Sequence, residues 1–387
     1  MLIRLWTQAG RPDKVRQWQA MSLGTYNHFG FYEDARRFCD VVAANIEELS
    51  SQPELFPFWP MTRWNLVGNI FGSLVQTNNP AAALDIVEKE ALRNVEDPLD
   101  QARVRYVLAM LYTRYLPQKD FTKAADYLMD GLEILRALPP SPEVHFVYTF
   151  VENGLALVAH RQGRNAEAIK LCSQGLERLD RSLPPTSHRL HRSVLLYNIA
   201  QVYHSIKHFE EAVQFYSAAM DMDPNYADYY NERGNALFNL GRIEDAINDY
   251  RRAIELSPPF PEVWTNLGQA CKRAGDLQAA IGAYSRAIDL DPGVVLPYLG
   301  RAQCFEELEK WEEALADYSE ALRIDPDQPY TLSNRAVILY DTGRVTEALT
   351  DIDRAIHLAP DEEEFRRNRA FVQASLTAEA AQASAAL

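Results

Sequence analysis

In the second half of the chain the apolar positions recur with two periods at once. Within short windows they fall three and four residues apart, the stripe of an amphipathic helix. Over longer distances the whole stripe repeats every 34 residues: Ala212, Ala246, Ala280, Ala314 and Ala348 form one series. Ala219, Ala253, Ala287, Ala321 and Ala355 form a second, and Tyr216, Tyr250, Tyr284, Tyr318 and Ile352 a third. Five prolines, Pro224, Pro258, Pro292, Pro326 and Pro360, keep the same step and mark where helices stop. A fixed repeat of this length predicts stacked helical hairpins, each burying its apolar face on its neighbours. It also sets the kind of function to look for, because such a stack has a long wall that binds other chains rather than one catalytic cleft.

The unit from Ala227 to Pro258 shows how one hairpin is built. Tyr230, Gly234 and Leu237 share a face of the first helix, and Gly241, tolerant of positive φ, ends it. Ala246, Tyr250, Ala253 and Ile254 form the stripe of the second helix, which Pro258 closes. Gly234, Ala246 and Ala253 let the helices approach, while Tyr230 and Tyr250 are expected to fill the space between hairpins. The next unit, with Trp264, Leu267, Gly268, Gly275, Ala280, Tyr284, Ala287 and Pro292, resembles the tetratricopeptide repeat family. Units 193–224, 227–258, 261–292, 295–326 and 329–360 all resemble it. Ala200, Ala302 and Ala336 replace the family's close-packing glycine. Arg233, Arg301 and Arg335 stand where leucine is usual, and are expected to lay their stems along the core edge. The resemblance implies an all-α fold, a right-handed superhelical solenoid of antiparallel helical hairpins.

The first half reads as the same unit, stretched. Gly163, Ala168, Cys172 and Gly175 keep the spacing of the turn and second helix, as do Lys119, Ala124, Leu128 and Gly131. Gly30, Ala35, Cys39 and Val42 keep it too, and Asn78, Ala83 and Val87 keep it more loosely. Four hairpins then start near residues 16, 64, 105 and 149, spaced by 41 to 48 residues. The surplus lies in longer helices and in proline-rich connections at 51–60, 138–143 and 183–192. The expected organisation is divergent hairpins over 1–192 and five regular units over 193–360. A capping helix over 361–376 presents Phe365 and Phe371 to the last core, and a weakly patterned tail, 377–387, is expected to be disordered.

Composition narrows the partners. The chain has 387 residues and a formal net charge of −15, which argues against nucleic acid because phosphate repels an acidic surface. Cys39, Cys172, Cys271 and Cys304 each sit where a small apolar residue would pack, and no CxxC is present. Buried free thiols fit a reducing compartment. No stretch approaches a membrane span and the N-terminal apolar run is short for a secretion signal, so the expected location is cytoplasmic. Met1 opens almost directly into helix-like sequence, as in a fragment of a longer chain. Trp6 and Trp18 offer apolar surface at the first hairpin; the expected state is a monomer or weak homodimer.

The resemblance also implies where binding takes place, since the first helix of each hairpin lines the concave groove in the family. Gln201, Asn235, Gln269 and Gln303 form one file beside the core stripe, and Asn198, Asn266 and Asn334 another. Asn231 and Asn153 lie one helical step away. An amide offers both donor and acceptor, so a ladder of amides can pair with the backbone of an extended peptide. Single amides on a helix face are usually ordinary solvated residues; their recurrence in register favours the groove. Asn198, Asn266 and Asn334 are expected to face water. Tyr197, Arg273 and Tyr330 fall nearby as sources of side-chain specificity, with Phe238, Lys272 and Tyr340 beside them. The asparagine file is similar to that of arrays that hold extended peptides, including the array of O-linked N-acetylglucosamine transferases.

Other chemistry is less well supplied. Asn235 and Asn266 match the asparagines of the two-carboxylate clamp found in some members of the family, but Asn231, Leu296 and Gly300 stand where its cations belong, so a carboxylate gains little there. His188, His191, His204 and His208 are close in sequence without a Cys or carboxylate joining them, and no metal site is expected. No P-loop, nucleophile elbow, Gly-rich dinucleotide turn or HExxH occurs, so neither catalysis nor a cofactor is expected. The reading is a non-catalytic interaction scaffold that takes a peptide segment or helix of a partner protein. The alternative is a ligand- or partner-sensing regulatory domain of a larger signalling, transcription-regulating or modifying-enzyme chain.

Overall fold

The computed structural model describes residues 63–257 and 260–385 and a few positions from Phe38 to Leu49, with side chains through Ala374. The hairpin expected near residue 16, with Trp6, Trp18, Gly30 and Ala35, lies outside the described residues, as do the connection 51–60 and Pro258. Among the described residues every regular element is a helix, and no described helix is long and apolar enough to cross a membrane. They fall into two compact units, one ending at Val202 and the other beginning at Tyr203.

The first unit contains α1 (Arg63–Gln76), α2 (Pro80–Ile86), α3 (Pro98–Met110), α4 (Phe121–Arg136), α5 (Pro142–Arg161) and α6 (Asn165–Ser182). The unit boundary falls inside α7 (Arg189–Ser205), the helix that also holds the expected boundary at 192/193. Several starts are fixed by local chemistry: Asn79, Asp97 and Ser141 each accept a bond from a first-turn backbone N–H, with proline at the first helical position. Two π-helical turns, Val87–Leu92 after α2 and Leu111–Tyr115 after α3, extend their helices. With α5 and α6 at 20 and 18 residues, they account for part of the surplus length. Cys39, Val42, Leu66, Ile70, Val87 and Leu108 share one core, and Leu128, Val147, Val151 and Val158 another.

The second unit is more regular. After α8 (Phe209–Met222) come four hairpins: α9 (Ala227–Asn239) with α10 (Ile243–Leu256), α11 (Pro261–Arg273) with α12 (Leu277–Leu290), α13 (Val295–Glu307) with α14 (Trp311–Ile324), and α15 (Pro329–Asp341) with α16 (Val345–Leu358). Every first helix has 13 residues and every second helix 14. The turn is the same each time. Gly241 has φ 77°, the Gly241 N–H bonds to Phe238 O at 3.1 Å, and the Arg242 N–H bonds to Leu237 O at 2.9 Å, which closes the helix end. Both alanine series and the tyrosines at 216, 250, 284 and 318 are buried. Close packing of small residues against a large ring is what lets one unit stack on the next. Tyr229, not Tyr230, is the fully buried ring of α9. Tyr230 is half-buried, with its hydroxyl on Pro224 O at 3.1 Å.

The arginines at the leucine positions do more than cover the core edge. Arg233 grips Asp249 with two bonds of 2.7 Å and donates a third to Ser217 at 2.9 Å. Arg301 does the same with Asp317, at 2.8 and 2.7 Å, and with Ser285, at 2.8 Å. Arg335 repeats it with Asp351, at 2.7 and 2.8 Å, and with Ser319, at 3.1 Å. The aspartates are only 6–9% exposed. A planar guanidinium matches a carboxylate with two parallel bonds, so each arginine ties its own hairpin together and holds the preceding second helix as well.

The last helix, α17 (Glu363–Ala385), continues the register as the first helix of a further unit. Phe365, 34 residues after Thr331, is buried, and Asn368, 34 after Asn334, donates to Ser333 Oγ at 3.3 Å. Arg369 stands 34 residues after Arg335. It bonds to Asp353 at 2.5 Å, the position where Arg233, Arg301 and Arg335 each find a serine. The helix also runs past 376, through residues that the sequence pattern assigns to a tail.

Candidate functional site

In the second unit the first helices lie side by side, and their polar side chains meet. Asn266 on α11 donates from Nδ2 to Asn231 Oδ1 at 3.1 Å and to Asn235 Oδ1 at 3.2 Å, both on α9. The Tyr250 hydroxyl donates to the same Asn235 oxygen at 2.9 Å. Asn231 in turn donates to Glu232 at 3.4 Å. Burial, with Asp228 nearby, pushes the Glu232 carboxyl up, while the hydrogen bonds of Asn235 and Asn231 hold it back. One position further along the stack, Lys272 on α11 donates to Gln303 Oε1 on α13 at 2.7 Å and lies 3.5 Å from Glu307. Gln269 is half-buried on α11, two residues after the close-packed Leu267.

The remaining site residues divide between the units. In the first unit Asn198 donates to Asn153 Oδ1 at 2.8 Å, and the buried Asn153 also accepts from the Cys172 thiol at 3.7 Å. Gln201 donates to the Tyr197 hydroxyl at 2.6 Å. In the second unit Asn334 hydrogen-bonds the Tyr318 phenol, whose hydroxyl donates to Glu306 at 2.9 Å. Burial raises the pKa of Tyr250, Tyr284 and Tyr318, so these rings stay protonated. Arg273 is exposed with its guanidinium 5.5 Å from the Phe238 ring. Tyr330 is exposed, edge-on to Phe365 at 5.3 Å and hydrogen-bonded to Glu362.

Two features differ from the sequence expectation. Asn198, Asn266 and Asn334 do not simply face water. Each is half-buried and bonded, because neighbouring helices approach closely enough for one side chain to reach the next. The amide file also ends before the stack does. Its next positions on the same 34-residue step are Val337 and Phe371, 40% and 63% exposed. Leu296 and Tyr330, 50% and 58% exposed, stand 34 residues apart on the first turns of α13 and α15. Both series are visible in the sequence once the 34-residue step is applied to the positions beside the core stripe as well as to the core.

No group of three or more His, Cys, Asp or Glu among the described residues has metal-binding geometry. The His188 ring stacks on Phe146 at 4.0 Å and His191 packs edge-on to it at 5.2 Å. Burial, with His188 nearby, lowers the His191 pKa to about 4. The thiols of Cys172 and Cys304 are pushed up to about 12 and about 11 by burial, so neither is a thiolate near neutrality.

None of the curated proteins compared matches the sequence. Models described as tetratricopeptide repeat match residues 149–225, 231–295 and 304–373. Among solved structures, the C-terminal part of a TPR repeat-containing protein from Cytophaga hutchinsonii is 18% identical with a TM-score of 0.51, covering 64% of this chain and 99% of that one. Pseudomonas aeruginosa PilF is 18% identical with a TM-score of 0.48, covering 57% and 96%. YrrB, described as a TPR protein with an unusual peptide-binding site, is 20% identical with a TM-score of 0.41, covering 45% and 90%. Identities this low speak to the fold alone. The three matched spans together take in more than half of the residues and coincide with the helices that keep the repeat register: the chain belongs to the tetratricopeptide repeat family.

Proposed function

We propose that this chain is a non-catalytic scaffold that holds a peptide segment of a partner protein along the groove formed by the first helices of its repeats. Tetratricopeptide proteins are generally protein-interaction scaffolds. The observation that carries the finer reading is the Asn231–Asn235–Asn266 cluster, in which the amides fix one another's orientation across two units. An amide has two N–H groups and two acceptor lone pairs, so mutual pairing still leaves capacity for a third chain. A peptide meeting pre-oriented amides loses little on their account, because the ordering is already done. In this reading Asn231, Asn235, Asn266, Gln269, Gln303 and Asn334 hold the backbone of a segment bound on the second unit, and Asn198 and Gln201 offer the same kind of contact on the first. Tyr197, Arg273 and Tyr330 select among its side chains. The reading requires no cofactor, and the buried free thiols fit a cytoplasmic setting.

The test is a pull-down from the native lysate with the full chain as bait, beside a Gln201→Ala/Gln269→Ala/Gln303→Ala variant. The glutamines are chosen because Asn266 holds two bonds to the neighbouring first helix, whereas of the three glutamines only Gln303 is bonded to one, through Lys272. A partner retained by the wild type and lost by the variant, with its synthetic segment binding about tenfold more weakly to the variant, is the expected result. Equal retention would move binding away from the amide face.

A further inference from the structure

The second unit ends in a surface whose chemistry differs from the amide cluster. On α13, α15 and α17, the side chains of Leu296, Tyr330, Val337 and Phe371 are 40–63% exposed. Of these successive first helices α15 and α17 adjoin directly: Tyr340 on α15 packs edge-on to Phe371 on α17 at 5.4 Å, and Tyr330 packs on Phe365 at 5.3 Å. A concentration of large apolar side chains on adjacent helices marks an interaction surface rather than scattered surface residues. The surrounding exposed charges are mainly acidic: Glu262, Glu307, Asp341 and Glu364. Of the cations on these helices and on α11, Lys272 is committed to Gln303 and Glu307, Arg273 lies over Phe238, Arg301, Arg335 and Arg369 are paired with Asp317, Asp351 and Asp353, and Arg366 and Arg367 are exposed.

We propose that this end of the stack docks a basic amphipathic helix of a partner protein. This rests on the scaffold reading and deepens it, but uses apolar side chains in place of amides. The apolar strip needs an apolar stripe to cover it, and its acidic border favours lysine and arginine at the edges of the incoming segment. A second copy of the chain fits poorly, since it presents the same acidic border and the same net charge of −15. A helix fits better than an extended strand for a backbone reason. Val337 and Phe371 occupy the positions where earlier units carry amides, while Asn334 and Asn368 are engaged by Tyr318 and Ser333. A strand lying here would find few partners for its N–H and C=O groups, whereas a helix satisfies its own. Three helices spaced about 8–10 Å apart span about 20 Å, the length of about 13 helical residues.

The test uses the full chain and a fluorescein-labelled peptide of lysine and leucine, of that length, with leucines at helical period. Two control peptides accompany it, one with the same composition in strict alternation and one with glutamate for lysine. Fluorescence anisotropy in near-physiological salt reads binding. The expected result is saturable binding of the helical-period lysine peptide, at least about tenfold weaker to Tyr330→Ala/Phe371→Ala, and unchanged for Gln201→Ala/Gln269→Ala/Gln303→Ala. Both replaced rings are exposed, and an unchanged far-UV circular dichroism spectrum confirms that the variant is folded. No binding, equal binding of either control peptide, or unchanged affinity in the double variant overturns the proposal. Loss in the glutamine variant alone also overturns it and leaves the amide groove as the binding surface. Sedimentation showing a wild-type dimer that Tyr330→Ala/Phe371→Ala dissolves would instead make a second copy the occupant.

Discussion

The hairpin of α11 and α12 and the hairpin of α13 and α14 have helices of the same length, alanines at the same contacts and a buried tyrosine in the same place. They differ, among other places, at four corresponding positions. The second has Arg301 paired with Asp317, where the first has Leu267 and Ala283. The first has Asn266, where the second has Gly300 lying against the Tyr284 ring. The first turns through Gly275 at φ 83°, the second through Glu309 at φ 56°. One backbone therefore accommodates an ion pair or a purely apolar pair, an amide or a bare glycine. What the repeat conserves is the approach distance between helices; what fills the space is exchangeable provided that it is exchanged as a set.

The sharpest way to break this equivalence is to exchange half a set. Asp317→Ala leaves Arg301, only 21% exposed, without its carboxylate. Stripping one partner from a buried pair costs about 3–5 kcal/mol. The loss is expected as a lower denaturant midpoint and as faster amide exchange in α13 and α14. Arg301→Leu/Asp317→Ala copies the neighbouring hairpin, and is expected to return to within about 1 kcal/mol of the wild type, since an apolar replacement of a buried ion pair is often neutral. A double variant as unstable as the single one would show that the two hairpins are not equivalent after all.

A smaller effect is expected where the glycine stands. A Cβ at position 300 would fall 2.6 Å from Tyr284 Cε1 and 2.7 Å from its hydroxyl oxygen. Gly300→Ala must push the ring aside, at about 1–3 kcal/mol for overpacking. In a Tyr284→Ala background the same change is expected to cost much less, and thermal unfolding of the four proteins of that cycle measures the coupling. Additive costs would mean that the ring is not what excludes a side chain at 300.

The part of this arrangement that was legible in the sequence is the part set by local requirements. Alanine at each close contact, proline after each second helix and glycine at most turns follow from what one position can hold, so the repeat boundaries and the helical pairs were readable. The arginine pairs were not read, although serine, arginine and aspartate stand 16 residues apart in three units. That spacing becomes meaningful only once the turn brings the two helices face to face. The amide positions could be read but not their pairing, because the distance between Asn266 and Asn231 belongs to the packing of two units, not to either residue. Tyr229 and Tyr230 show the limit of a pattern: either aromatic satisfies it, and only the packed register buries the first. The π-helical turns at 87–92 and 111–115 carry no comparable local signal.

The smallest expected effect sharpens the comparison at the turn. Glu309 holds a left-handed conformation at φ 56° at the position where Gly275 and Gly343 have φ 83° and 80°. For a residue with a Cβ that conformation costs about 1–2 kcal/mol. Replacing Glu309 by glycine removes this strain but also gives the unfolded chain more freedom, which takes back about 0.4–1 kcal/mol. The net gain for Glu309→Gly is therefore about 0.5 kcal/mol, read as a raised denaturant midpoint with an unchanged slope. The reciprocal Gly275→Ala is expected to lose about 0.5–1 kcal/mol, because there the strain is introduced and only partly offset by a stiffer unfolded chain. If both changes destabilise, the two turns are not interchangeable, and Glu309 contributes something beyond its backbone conformation. If they move in opposite directions, the turn obeys the same rule as the ion pair: the repeat specifies a geometry, and each hairpin meets it with the residues it has.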